Sequence, residues 1–281
     1  MRRKWMFIFA VILAVAAGFA IYIERHGAAD VLGTDVGISA GQAILIDGES
    51  GKGLYEKCAD EKAYPASTTK IMTAMVALET LRKHDSPIDQ IVEVPACAAG
   101  VEGSSIYLKA GEKISIEDLL YGLMLVSGND AATALAEIIG GSEADFVNMM
   151  NDKAVSLGCR QTHFTNPSGL FDEEHYTTAR DMATIAFEAM KDPVFREIVS
   201  AENRVSEREN DEYTNFYNKN KTIFQYDGGT GVKIGYTTDS GRTLVASSTR
   251  GDKSMICVVM SAPDWFNDAY RLMDYGYSIT K

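Results

Sequence analysis

Several familiar chemical signatures are missing from this sequence. Its four cysteines, Cys58, Cys97, Cys159 and Cys257, contain no CxxC pair, which argues against a zinc or thioredoxin-type site. Three disulfide pairings are open in principle, and the simpler expectation is that the cysteines are small buried residues. Gly48-x-x-Gly51-Lys52 lacks the four-residue gap, and the following Ser or Thr, of a phosphate-binding loop. Cationic side chains are in the minority, 27 Lys and Arg against 39 Asp and Glu, for a net charge of −12. Beyond Arg2, Arg3 and Lys4 no basic stripe stands out, so a nucleic-acid partner is disfavoured. Internal repeats and low-complexity tracts are absent.

What is present begins with an address. After the basic start, residues 5–23 carry no charge, and Glu24, Arg25 and His26 follow. A basic start and an apolar run form an export signal. Nineteen apolar residues are long enough to span a bilayer, with the N-terminus inside. Candidate cleavage sites, Ala14-Val15-Ala16 and Gly18-Phe19-Ala20, lie within the run, so an uncleaved anchor over residues 1–26 is favoured. On either outcome the chain beyond Glu24 is expected to be extracytoplasmic, held at the cell membrane or secreted. Residues 27–37 read as a linker, and 38–281 as one domain, since 281 residues that are 46% hydrophobic can bury a substantial core.

Patterning within 38–281 predicts α+β architecture. Strands over 39–47 and 52–57 form a hairpin around Gly48–Gly51. A helical block follows: 71–83, 115–125, 130–139, 142–158, the stretch up to Met190, and 193–199. A short strand is expected at 91–94, and residues 200–221 are polar loop or short strands. Runs at 231–236, 242–248 and 254–262 predict an antiparallel meander, closed by a helix over 264–275. Hairpin and meander join most simply in one sheet.

The chain is organised around Ser67-Thr68-Thr69-Lys70 at the start of the first helix. Spacing i,i+3 places Ser67 and Lys70 on one face, close enough to exchange a proton. A serine needs an adjacent base, and a lysine serves only if burial or a second cation lowers its pKa. Free N–H groups at the helix start favour an oxyanion. Ser-x-x-Lys arises by chance about once in a chain this long, and Ser278–Lys281 is a second, accidental copy. Two further signals follow in order. Ser127-Gly128-Asn129 breaks two apolar helices, with Asn129 or Asp130 either capping the second helix or, with Ser127, pointing into a cleft. Lys233-Ile234-Gly235 lies on the first meander strand, where glycine permits close approach of an extended ligand. With a lysine beside the serine, His163 and His175 read as structural.

Ser67-x-x-Lys70, Ser127-x-Asn129 and Lys233-x-Gly235, each in its expected context, resemble the motif set of penicillin-binding proteins and serine β-lactamases. The sequence is similar to the low-molecular-mass penicillin-binding proteins that are D-alanyl-D-alanine carboxypeptidases, over about residues 38–262. The similarity is densest at Tyr64–Ala74, Ser127–Ala132, Asn166–Leu170 and Gly231–Thr237. It implies a β-lactamase/transpeptidase-like fold, an antiparallel sheet flanked by terminal helices with an inserted all-helical subdomain. It further implies that Ser67 attacks the bond between two terminal D-alanines, that Lys70 is the base, and that Ser127 relays a proton to the leaving group. Asn129 would bind the substrate amide, Lys233 its carboxylate, and the N–H groups of Ser67 and Tyr236 the oxyanion. Peptidoglycan pentapeptide is the implied substrate and β-lactams the covalent inhibitors, with neither cofactor nor metal required.

Two departures stand out. Ile234 occupies the place of a threonine whose hydroxyl binds the substrate carboxylate; Thr237 or Thr238 is the candidate substitute. The expectation is slower β-lactam acylation than in an Ile234→Thr variant, and Ile234 favours a second reading, a catalytically weak sensor or scaffold on the cell wall. A β-lactamase would need a glutamate-activated water, and only Glu173 and Glu174, in a loop, are at hand. The chain also ends after one helix where many relatives add a β-rich domain, which supports the N-terminal anchor.

Overall fold

The computed structural model describes residues 36–208 and 213–280. The proposed anchor and most of the linker therefore lie outside the described residues, as does Lys281 of the accidental second Ser-x-x-Lys. Within the described residues no helix is long and apolar enough to cross a membrane.

One antiparallel sheet organises the domain. Its strands are β1 (Gln42–Asp47), β2 (Gly53–Lys57), β7 (Gly229–Thr237), β8 (Gly241–Arg250) and β9 (Lys253–Met260), in the order β2-β1-β9-β8-β7. The predicted hairpin and meander thus meet, β1 pairing with β9 from Gln42↔Met260 to Asp47↔Met255. Two short two-stranded ladders stand apart: β3 (Ile91–Glu93) with β4 (Lys113–Ser115), and β5 (Asn203–Val205) with β6 (Asn215–Tyr217). β4 is a strand that the sequence pattern does not predict. A three-residue strand is too short to show a period of two.

Side-chain alternation gives the sheet two buried faces. Ala43, Leu45, Leu244, Cys257 and Val259 form one apolar layer with Ala269, Leu272 and Met273 of the C-terminal helix, α8 (Trp265–Ile279). Ile44, Ile46, Val245, Ile256 and Val258 face the other way, into the core shared with the helical block. That block comprises α1 (Lys70–Lys83), α2 (Ile116–Tyr121), α3 (Asn129–Gly140), α4 (Glu143–Ser156), α5 (Ala179–Ala189) and α6 (Pro193–Ser200); a one-turn helix α7 (Thr222–Gln225) precedes β7.

α1 is the axis of the block. Every residue from Lys70 to Leu78 is buried, as befits a helix enclosed on all sides. Caps fix the other helices: Ser115 accepts from Asp118 N–H, Ser142 from Asp145, Thr178 from Asp181, and Asp192 from Val194 with Pro193 at the first position. The expected helix 115–125 stops at Tyr121 and passes into a π-turn, Gly122–Val126, that delivers Ser127 in a left-handed conformation (φ 71°).

The four cysteines are free thiols. Cys159 and Cys257 are buried as expected, whereas Cys97 is exposed and Cys58 half-buried, which corrects the expectation for those two. Phe146 is fully buried and its Cβ abuts Gly140 where α3 meets α4. Phe146→Ala is expected to destabilise the fold by about 3–5 kcal/mol, measurable by urea unfolding.

Candidate active site

The site lies where α1 meets the edge strand β7. Pro65 precedes a 3-10 turn, Ala66–Thr69, that runs directly into α1. Ala66 has φ 47°, a conformation that costs a non-glycine residue about 1–2 kcal/mol. Two neighbours hold the turn. A Cβ on Gly169 would lie 1.9 Å from the Ala66 carbonyl oxygen, and one on Gly235 would lie 2.9 Å from Ser67 N and 3.0 Å from Pro65 O. Gly235 is therefore a contact between sheet and turn. Its missing side chain is used by the protein's own backbone, which corrects the expectation of an opening for a ligand. The contact brings β7 alongside the Ser67 N–H.

Lys70 Nζ lies 3.0 Å from Ser67 Oγ, 2.7 Å from Asn129 Oδ1 and 2.5 Å from the Ser168 carbonyl oxygen. A neutral amine has two N–H donors and one lone pair. Donation to Asn129 and Ser168 leaves the lone pair facing the serine hydroxyl, the geometry of a general base. Complete burial is the first cause pushing the Lys70 pKa well down, with the positive charge of Lys233 second and the Asp130 carboxylate opposing. Lys233, itself fully buried, is brought down to about 7 by desolvation and then by Lys219. Three acceptors suit an ammonium, so the hydrogen bonds oppose what burial does. Burial without a contacting carboxylate outweighs them, because each acceptor is a neutral dipole.

Of the sequence-predicted residues, Ser67, Lys70 and Asn129 are directly joined, Lys233 is coupled to Lys70 by charge, and Gly235 touches the Ser67 turn. Ser127 is buried two positions before Asn129, at the end of the π-turn. Tyr236 is exposed further along β7, and the Thr237 hydroxyl is engaged with Ser240 in the β7–β8 turn. Ile234 lies across from Leu244 and packs against the apolar layer beneath α8, on the opposite side of the strand from Lys233. The N-cap position of α3 is Gly128, without a side-chain bond, and Asp130 Oδ1 accepts from the first-turn amide of Ala131 at 2.9 Å. Asn129 Nδ2 donates to the Glu102 carbonyl, and the Asp130 carboxylate accepts from Ser105 Oγ and the amides of Ile106 and Leu108. Glu173 and Glu174 are exposed, and their carbonyls receive Lys62 and His163.

Sequence reasoning missed two contributors. The Ser168 carbonyl is aimed at Lys70 by the loop Asn166-Pro167-Ser168-Gly169, in which Asn166 Oδ1 collects the amides of Ser168, Gly169 and Leu170; the Asn-Pro-Ser-Gly turn chemistry was the available signal. Lys219, anchored by its N–H on the Leu125 carbonyl, lowers both other lysines and carried no local pattern. His175, structural as expected, has a definite task. Its Nδ1 accepts from Thr165 N–H, so its Nε2–H donates to Thr69 Oγ1 at 2.8 Å. Among the described residues no group of His, Cys, Asp and Glu could hold a metal ion.

A serine hydroxyl, a buried amine within hydrogen-bond reach of it, and a strand edge beside the serine amide make up the site. Residues 29–264 match the peptidase family of D-alanyl-D-alanine carboxypeptidases, and the chain belongs to that family. It is 38% identical to the carboxypeptidase DacF of Bacillus subtilis over 242 residues, covering 85% of this chain and 62% of the relative. With the carboxypeptidase of Streptomyces sp. strain K15 it shares 34% identity, covering 86% and 88%. The crystal structure of the Streptomyces K15 DD-transpeptidase superposes with TM-score 0.80 at 32% identity, over 86% of this chain and 98% of that one. The carboxypeptidase DacD of Francisella tularensis gives 0.80 at 28%, over 86% and 71%. The chain spans about three fifths of the length of DacF and of the Escherichia coli relative DacC (62% and 60%).

Burial holds the His175 pKa down to about 4, against 6.5 for a free imidazole. The unfolded chain takes up that proton first, so stability is full above pH 6.5 and falls as pH drops toward 4, by up to roughly 3 kcal/mol. Urea unfolding across this window should show the loss, and His175→Gln should flatten that part of the slope.

Proposed function

We propose that the chain is a serine-type D-Ala-D-Ala carboxypeptidase that trims the terminal D-alanine from peptidoglycan stem peptides. The observation that carries this is the Lys70 amine, buried and 3.0 Å from Ser67 Oγ. In the proposed course Ser67 Oγ attacks the carbonyl carbon of the penultimate D-alanine and its proton passes to Lys70 Nζ. The N–H groups of Ser67 and Tyr236 receive the oxyanion, and Lys233 attracts the terminal carboxylate. Collapse breaks the C–N bond, and the departing amine takes a proton through Ser127. Asn129, already tied to Lys70, would hydrogen-bond the substrate amide. Water, deprotonated by the same amine, hydrolyses the ester and restores Ser67. A β-lactam amide would acylate Ser67 by the same attack, its leaving amine remaining tethered, so such compounds act as covalent inhibitors.

An extracytoplasmic site, with residues 1–26 as membrane anchor, is part of this reading. It rests on the charge pattern of the N-terminus and on the location of peptidoglycan. The sensor or scaffold alternative retains one supporting observation, the apolar packing of Ile234 where the resemblance implies a hydroxyl.

The purified full-length chain in mild detergent should release D-alanine from a diacylated Lys-D-Ala-D-Ala peptide, and Ser67→Ala should release none. A folded native protein without turnover would favour the scaffold. Ile234→Thr should be acylated faster than the native enzyme by a fluorescent penicillin in stopped flow; equal or slower acylation would refute a role for the missing hydroxyl.

A further inference from the structure

The segment from Glu102 to Lys109 contains no helix or strand, yet it fixes both donors of Asn129. The Asn129 amide N–H donates to the Ser104 carbonyl at 2.7 Å, and Nδ2 donates to the Glu102 carbonyl at 2.6 Å. With Nδ2 so directed, Oδ1 is turned to Lys70. The register of these carbonyls therefore decides which end of the Asn129 amide meets the catalytic amine.

Without ladder bonds, the segment is held by side chains from elsewhere. Asp130 takes the amides of Ile106 and Leu108, and Glu112 Oε2 takes that of Lys109. Arg208 holds the carbonyls: Nη1 donates to Ile106 O at 2.6 Å and Nη2 to Tyr107 O at 3.2 Å. The same Nη2 meets Glu112 Oε1 at 2.5 Å, and both side chains are enclosed, with 0% and 5% exposure. A buried ion pair is a poor source of stability when apolar side chains could replace it. What it supplies here is direction, since a planar fork reaches two successive carbonyls and one carboxylate together. Tyr107, between those carbonyls, has φ 60°, a conformation that its neighbours must impose.

We infer that Arg208, through its ion pair with Glu112, is a positioning residue for the Lys70–Asn129 pair, acting by holding residues 102–109 against Asn129. The inference rests on the reading of Lys70 as the base for Ser67. Arg208 touches neither reacting atom. Without it, the segment loses both carbonyl anchors, Asn129 loses its fixed orientation, and water reaches Lys70. The charged and titratable groups facing Lys70 are Lys233 from β7, Asp130 from α3, Lys219 after β6 and the neutral His175 across Thr69. Relief of burial and a freer Asp130 carboxylate both favour the protonated amine. The acid limb of Ser67 acylation consequently moves to higher pH.

The test compares native protein with Arg208→Met/Glu112→Gln, which leaves no orphaned buried charge, and with Arg208→Lys. Acylation by a fluorescent penicillin is followed across pH, with thermal unfolding alongside. The expected result is a folded double variant acylated about a hundredfold more slowly, with its acid limb displaced upward and partial recovery in Arg208→Lys. A folded double variant with native rate and native pH profile would overturn the inference. If native protein is not acylated at all, the carboxypeptidase reading fails by itself. NMR titration of carbon-13-labelled lysine then decides the inference: a Lys70 that titrates identically in native and double-variant protein overturns it, and one raised in the variant sustains it.

Discussion

Everything about this site depends on an amine kept dry. Lys70 is wholly enclosed at the first position of α1, bonded to Ser67, Asn129 and the Ser168 carbonyl, with the positive charge of Lys233 opposing its own. In water its proton would be held too tightly for it to accept another from serine. The fold supplies the drought: α1 is buried all round, the sheet closes one side, and the Asn166–Gly169 loop closes another. Two of the close approaches that allow this are made at glycines. Gly235 lets β7 reach the Ser67 turn, and Gly169 lets the loop lie on the Ala66 carbonyl. A methyl group at either position would wedge the enclosure open.

A mainly hydrophobic scaffold thus carries a polar centre whose members depend on one another. Asn129 orients Lys70, the 102–109 segment orients Asn129, and the Asp130 and Arg208 side chains orient that segment. On the other flank His175, kept neutral by burial, holds Thr69 in the turn after Ser67. Pairwise deletions in such a network will not add. Two residues in left-handed backbone, Ala66 and Ser127, sit beside Ser67 and at the helix break. Strain of this kind persists only where surrounding packing leaves no alternative.

Much of this was legible in the sequence because it is written in local pattern. Strand alternation gave the hairpin and meander, helical spacing gave α1 to α6, and three short motifs pointed to Ser67, Lys70 and Asn129, which the fold joins, and to Lys233, coupled to Lys70 by charge. What escaped has long-range causes. β4 and α7 are too short to carry a period. The π-turn differs from an ordinary helix by one hydrogen-bond step, which no side-chain pattern marks. Lys219 and Arg208 lie in a polar stretch without periodicity, and their partners at Leu125, Glu112 and Ile106 are about a hundred residues away in sequence. The role of Gly235 was misread because the strand was imagined with only a ligand beside it, and the turn that already fills that space was out of view.

The position of β7 at the margin of the sheet carries one more consequence. A strand with a neighbour on one side only offers backbone donors and acceptors to whatever extended chain comes near, and a second copy of the same strand fits as well as any peptide. This edge is protected from such pairing by its shape and its surroundings. A register break between Gly229 and Gly231 interrupts it at one end, the tight Thr237–Gly241 turn ends it at the other, and the Ser67 turn stands against its middle. What remains open is a short window, too short for a self-propagating sheet. Resistance to aggregation at high local concentration then follows from the same arrangement that sets the strand against the Ser67 turn.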